Sequence, residues 1–145
     1  MTERLKPESR DQFIHFSRLT TRWGDNDVYG HVNNVIYYAW FDTVINEMLI
    51  ARGLASQQEG APIGLVVATQ CQYFESVSYP TPIEIGVRVE SLGTSSVTYR
   101  LGVFSPETTL SLACGRYTHV YVDATERRPV ALTAIHREVF ESLKI

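Results

Sequence analysis

The chain has 145 residues, the usual size of one domain that buries its own core without metal or disulfide staples. Hydrophobic residues make up 44% and charged ones 20%, and a formal net charge of -3 leaves no basic footprint for nucleic acid. No basic leader precedes an apolar run, and nothing approaches the roughly 18 consecutive apolar residues of a membrane span, so no membrane association and a cytoplasmic location are expected.

In chain order, residues 1–12 are charged and aperiodic and are expected to form a flexible N-terminal segment, with a single domain over 13–145. From Phe13 to Leu19, β-formers alternate and predict a first strand leading to Trp23. Gly24 to Gly30 breaks it, because Gly, Asp and Asn tolerate turns. Asn33 and Asn34 then open a helix that runs to Arg52, with Gly53 as its stop. This helix is apolar on most sides, which predicts that it is enclosed.

A surface loop is expected over Leu54–Pro62. Strands follow over Leu65–Val77, Ile83–Val89, Val97–Phe104 and Leu110–Val122, separated by turn-forming Pro, Gly and Ser. Thr133 is placed to cap a short last helix through Phe140. One long apolar helix and a run of antiparallel strands bury each other if the sheet curls round the helix, an α+β design. Cys71 and Cys114 sit in apolar segments at no metal-ligand spacing and read as buried small hydrophobes.

Chemistry concentrates in one stretch. Arg22 to Asn34 carries Asp25, Asp27, His31 and two paired Asn between an alternating segment and an apolar one. A helix starting at Asn33 or Asn34 presents unpaired N–H groups and a partial positive charge, suited to an oxyanion. Asp27 just upstream is spaced to act on a carbonyl held there, as base or nucleophile. Asp also caps helices and braces turns very often, and spacing alone leaves both readings open.

The string Trp23-Gly24-Asp25-Asn26-Asp27-Val28-Tyr29-Gly30-His31-Val32-Asn33-Asn34-Val35-Ile36-Tyr37-Tyr38-Ala39-Trp40 resembles the signature of hot-dog-fold acyl-CoA thioesterases of the 4-hydroxybenzoyl-CoA thioesterase-like family. It is also similar to that of plant acyl-ACP thioesterases. The resemblance implies a hot-dog fold, a curved antiparallel sheet wrapped around one long central helix. It makes Asp27 the catalytic carboxylate and Asn34 the position whose N–H polarises the thioester carbonyl. In the plant-like branch the motif is D-x-N-x-H, so Asp27 and His31 match while Tyr29 replaces the Asn; in the benzoyl branch the His31 position is apolar, which favours a bracing loop bond for His31. Asp25 reads as a brace. Asp42 and Glu47 on the helix are outside candidates.

The resemblance further implies that Tyr37 and other aromatics line an acyl tunnel, that the turn with Gly93, Ser95 and Ser96 lies near the nucleotide of coenzyme A, and that two-fold dimers, or tetramers of them, form through one edge strand. Leu65–Val77 is a reasonable edge. No metal or bound cofactor is implied, since coenzyme A, or an acyl carrier, is part of the substrate. His119, alternating with Tyr117 and Tyr121 on one strand face, has a pocket wall as one reading and is expected instead at the sheet surface. The rivals are a non-catalytic acyl-thioester binding protein and a hot-dog hydratase or dehydratase; the latter's Asn-Pro between Asp and His is missing here.

Overall fold

Helix α1 spans Asn34–Ala51 and gives the molecule its axis. Asn33 caps it, its Oδ1 accepting from the Val35 N–H at 3.2 Å. Gly53, at φ 73°, ends it in a conformation that a side chain would strain. The computed structural model describes residues 4–54 and 60–145. Most of the loop expected over Leu54–Pro62 falls on residues 55–59 and lies outside the described residues, as do residues 1–3.

Five strands form one sheet: β1 (His15–Leu19), β2 (Ile63–Tyr73), β3 (Ile83–Leu92), β4 (Ser96–Phe104) and β5 (Ala113–Val122). Their order is β1-β3-β4-β5-β2, and every pairing is antiparallel. A short helix α2 (Ala134–Ser142) closes the chain, capped by Thr133, whose Oγ1 accepts from the His136 N–H at 3.1 Å.

Alternation decides which side chains meet the helix. Ile83, Ile85, Val87 and Val89 on β3 and Val97, Tyr99, Leu101 and Val103 on β4 turn inward to Phe41, Val44, Ile45 and Met48 of α1. Gly115 on β5 lets the helix approach: a Cβ there would stand 2.4 Å from Phe41 Cε2.

Three expectations change. Strand β2 stops at Tyr73 rather than Val77, because the Phe74 and Glu75 N–H groups both turn to the Leu112 carbonyl, leaving Val77 O to accept from Val32. Helix α1 is enclosed on one side only; the sheet curves under Tyr37, Trp40, Phe41 and Met48, while Val35, Asp42, Asn46 and Ile50 are exposed. A single curved sheet can cover about half a helix, so the remaining apolar positions stay open in one chain.

The third concerns the start of the chain. Residues 4–12 pack along the outer face of the sheet, with Leu5 buried and Glu8 paired to Arg88 at 2.9 Å and to Arg100 at 2.6 Å. Glu90 extends this network, bonded to Arg100 and, at 2.9 Å, to Arg116. Charge that reads as unpacked in the sequence is matched here by arginines from neighbouring strands.

Candidate active site

The polar stretch before α1 folds as a closed loop. Trp23–Asp25 forms one 3₁₀ turn, which brings Asp25 back onto Arg22. The Asp25 carboxylate, 2% exposed, accepts from the Arg22 backbone N–H at 2.8 Å and from its guanidinium at 2.9 and 3.1 Å. Its carbonyl accepts from the Asn33 N–H at 2.8 Å, so Asp25 ties the start of the loop to the cap of the helix. With its hydrogen-bonding capacity spent inward, Asp25 is a brace.

Asn26 and Val32 pair as an isolated bridge, and the Asp27 N–H bonds the His31 carbonyl at 2.8 Å. Between them the chain turns at Gly30, whose φ of 84° favours glycine. The loop is pinned from outside by the segment after β2: Val32 N–H to Val77 O at 2.7 Å, Ser78 Oγ to Gly30 O at 2.7 Å, and Tyr79 N–H to Asn26 Oδ1 at 3.1 Å. Neither Ser78 nor Asn26 is singled out by the sequence, since their roles depend on a contact some fifty positions distant.

Asp27 stands on this frame half-buried. Its Oδ1 accepts from the Tyr29 N–H at 2.8 Å, and among the described residues no donor meets its Oδ2. Three residues past His31, the Asn34 N–H begins the helix with no acceptor among the described residues, whereas the Val35 N–H is taken by Asn33. His31 is exposed, and its imidazole has no hydrogen-bond partner among the described residues; the bracing bond expected of it is made by its backbone carbonyl.

Beside the helix start lies a cleft of about 180 Å³ lined by Val32, Asn34, Tyr37, Tyr73, Glu75 and Ser76. Tyr73 donates its hydroxyl to the Asn34 carbonyl at 3.1 Å and meets Tyr37 edge-on, ring centroids 4.9 Å apart. Burial pushes the Tyr37 hydroxyl up to about 12, so it stays a neutral donor. Tyr37 thus lines the cleft and at the same time packs in the core against Trp40.

Gly93, Ser95 and Ser96 do not join this group within one chain. They form the turn between β3 and β4, held by Ser95 O to Tyr121 N–H at 2.8 Å and by Arg137 on Gly93 O at 2.9 Å. The Asp27 loop is pinned near the opposite end of β3, about 30 Å away along ten residues of strand. His119 is likewise misplaced by the sequence: it is 4% exposed and points to the inner face, because β5 is an interior strand with α1 over it. Asp42 accepts from the Tyr117 hydroxyl at 2.8 Å and from Asn46 Nδ2, and Glu47 is exposed. Cys114 is buried and Cys71 partly so; burial pushes the Cys71 thiol up to about 12, which removes thiolate chemistry from it.

Among the described residues no His, Cys, Asp or Glu side chains converge to hold a metal ion, and no helix is long and apolar enough to cross a membrane.

A curved antiparallel sheet under one long helix, with a pinned acidic loop at the helix start, defines a protein of the hot-dog thioesterase class. The chain belongs to the Thioesterase-like superfamily, whose sequence model matches residues 21–139. It is similar to the PA5185 protein of Pseudomonas aeruginosa strain PAO1, at 47% identity and a TM-score of 0.90 over 96% of this chain and 97% of that one. The fold is shared with Slr0204, a 1,4-dihydroxy-2-naphthoyl-CoA thioesterase from Synechocystis, at 14% identity and a TM-score of 0.80 over 88% and 96% of the two chains. A curated relative, the uncharacterized protein YsmA of Bacillus subtilis strain 168, is 26% identical over 91 residues, 63% of this chain. The chain spans 61% of the length of that relative.

Proposed function

We propose that this chain hydrolyses acyl thioesters of coenzyme A, or of an acyl carrier, to the free acid and the thiol. The observation that carries the reading is the pairing of Asp27, with one carboxylate oxygen open, and the unpaired Asn34 N–H on a loop pinned at both ends. The thioester carbonyl oxygen lies at the helix start, where the Asn34 N–H and the helix dipole stabilise the charge that develops on it. Asp27 supplies the other half of the reaction. Either its carboxylate attacks the carbonyl carbon, expelling the thiolate and leaving an anhydride that water opens, or it takes a proton from the attacking water. Coenzyme A leaves as a thiolate in both routes, so no strong general acid is required.

The acyl group enters beside Tyr37 and Tyr73 in the cleft at the helix start. Gly93, Ser95 and Ser96 serve the coenzyme A moiety of a thioester bound to a second copy of the chain, a reading supported by the ten residues of β3, about 30 Å of strand, that lie between this turn and the Asp27 loop within one chain. The working unit is therefore a dimer, or a tetramer of two such dimers.

Asp27→Asn tests the assignment. Hydrolysis of a panel of acyl-CoA thioesters, followed by thiol release, is expected to drop by about a hundredfold or more while the fold is retained. A variant within twofold of the parent sinks the role of Asp27, and a parent inactive on every thioester favours a binding protein. His31→Ala is expected to cost less than about fivefold, because its imidazole is solvent-facing and makes no bond in the loop.

A further inference from the structure

Tyr73 is the last residue of β2, and the chain is locked on either side of it. It faces Ala113 in the final register pair with β5, and the next two N–H groups, of Phe74 and Glu75, both bond the Leu112 carbonyl, at 2.9 and 3.1 Å. From this fixed point its ring reaches the start of α1. It meets Tyr37 edge-on and donates its hydroxyl to the Asn34 carbonyl at 3.1 Å.

Neither partner needs this bond to escape being buried unpaired. The Tyr73 ring is 42% exposed, so water is at hand for its hydroxyl. The Asn34 carbonyl belongs to the first turn of an α-helix, where the N–H four residues on, that of Tyr38, supplies a donor. What the bond adds is a fixed position for the peptide that accepts it. Partial burial pushes the Tyr73 hydroxyl above the ordinary tyrosine pKa, so it stays protonated and able to donate.

The peptide joining Asn34 to Val35 is held at both ends, its carbonyl by Tyr73 and its N–H by Asn33 Oδ1 at 3.2 Å. The peptide before it carries the Asn34 N–H and is held through the Asn33 carbonyl, which accepts from the Ile36 N–H at 2.9 Å. With both planes held, the two dihedrals of Asn34 are set, and so is the direction of its unpaired N–H.

The bonds from Asn33 and Ile36 lie within the helix start and travel with it. Among the described residues, the Tyr73 hydroxyl is the hydrogen bond that ties Asn34 itself to the sheet. The ties from Val77, Ser78 and Tyr79 reach the loop instead, at Val32, Gly30 and Asn26. Removing the Tyr73 hydroxyl therefore gives the first turn of α1 latitude while the loop that carries Asp27 stays pinned. An oxyanion donor works by being aimed before the reaction begins, so a small rotation of it costs rate more than substrate affinity.

We propose that Tyr73 is a positioning residue for the oxyanion site: its hydroxyl, acting through the Asn34 carbonyl, sets the aim of the Asn34 N–H at the thioester oxygen. This rests on the thioesterase reading above. One residue then has two tasks, the ring lining the acyl cleft and the hydroxyl orienting the peptide beside it.

Tyr73→Phe keeps the ring and removes the hydroxyl. On the acyl-CoA that the wild type hydrolyses fastest, kcat is expected to fall about tenfold with KM within about twofold, because a misaligned donor weakens binding of the transition state and spares that of the substrate. The amide shift of Asn34, read by NMR on isotope-labelled protein with no substrate present, is expected to move while those of Asp27 and Tyr29 hold. A bond that served the fold alone would lower the thermal midpoint and leave kcat unchanged. A kcat within about twofold of the wild type, a change confined to KM, or an Asn34 shift that does not move overturns the proposal. An active wild type that Asp27→Asn silences and Tyr73→Phe does not loses the positioning role and keeps the hydrolysis reading. A wild type that hydrolyses no thioester, with the Asn34 shift moved in Tyr73→Phe, loses the hydrolysis reading and keeps Tyr73 as the group that orients that N–H.

Discussion

Asp25 and Asp27 stand two positions apart in the same short motif and face opposite demands. Asp25 is enclosed and accepts three hydrogen bonds from Arg22, while its carbonyl holds Asn33. Asp27 is half-buried and spends one oxygen on the Tyr29 N–H. Stability and activity should therefore separate between them. Asp25→Ala strands the Arg22 N–H and releases its guanidinium, and is expected to cost about 2–3 kcal/mol in denaturant unfolding, the usual value of bonds to a charged acceptor. Asp27→Ala loses one local turn bond, expected at about 0.5–1.5 kcal/mol. An Asp25 variant as stable as the parent would remove its bracing role. The motif carried this division in part: Asp in a turn reads as a brace from residue type alone. Which Asp turns inward was decided by the 3₁₀ turn at Trp23–Asp25, a geometry that residue type does not dictate.

At the scale of elements, α1 and the alternating strands were legible because one period dominates each of them. What periodicity does not carry is contact between elements. Gly115 is the clearest case: in the sequence it is a weak point in a strand, and in the fold it is the seat of Phe41. Gly115→Ala places a methyl within 2.4 Å of a fully buried ring, and α1 must lift or Phe41 leave its rotamer. Destabilisation of about 1–3 kcal/mol is expected, read as a lower midpoint in urea. Because α1 also carries Asn34, a lifted helix should reduce hydrolysis in the same variant, and an unchanged midpoint would show that the seat has slack. His119 was misread for a related reason. Alternation placed it correctly on one face with Tyr117 and Tyr121, but only the strand order, with β5 between β4 and β2, shows that this face is the inner one. The Gly93–Ser96 turn shows the converse limit: its place between two alternating strands was legible, but nothing in the sequence gives its position relative to the Asp27 loop.

The whole molecule responds to pH through its histidines. Burial lowers the pKa of His15, His119 and His136 below the ordinary 6.5, with Arg52 adding to the effect at His15. The unfolded chain then binds protons that the folded chain refuses, so stability is complete above about pH 6.5 and falls as the pH drops below it. A thermal midpoint that declines from pH 7 to 5, less steeply in His119→Phe, is the expected result. The edges of the sheet set the other global property. Strand β1 is five residues long and carries Arg18, whereas β2 offers eleven residues from Ile63 to Tyr73 without a single charge. An exposed, uncharged edge of that length is a template for pairing with another strand, and Val67, 58% exposed at the break in register with β5, sits at its middle. Association through β2 would extend the sheet across a two-fold and bring a second copy alongside the exposed face of α1, where Val35 and Ile50 are uncovered. Val67→Lys puts a charge on that edge and should convert a dimer or tetramer to monomers in light scattering after size exclusion. If the Gly93–Ser96 turn of one copy serves the Asp27 loop of another, hydrolysis must fall with the assembly and recover as protein concentration is raised. A Val67→Lys protein that is monomeric and fully active at every concentration would place the whole site in one chain.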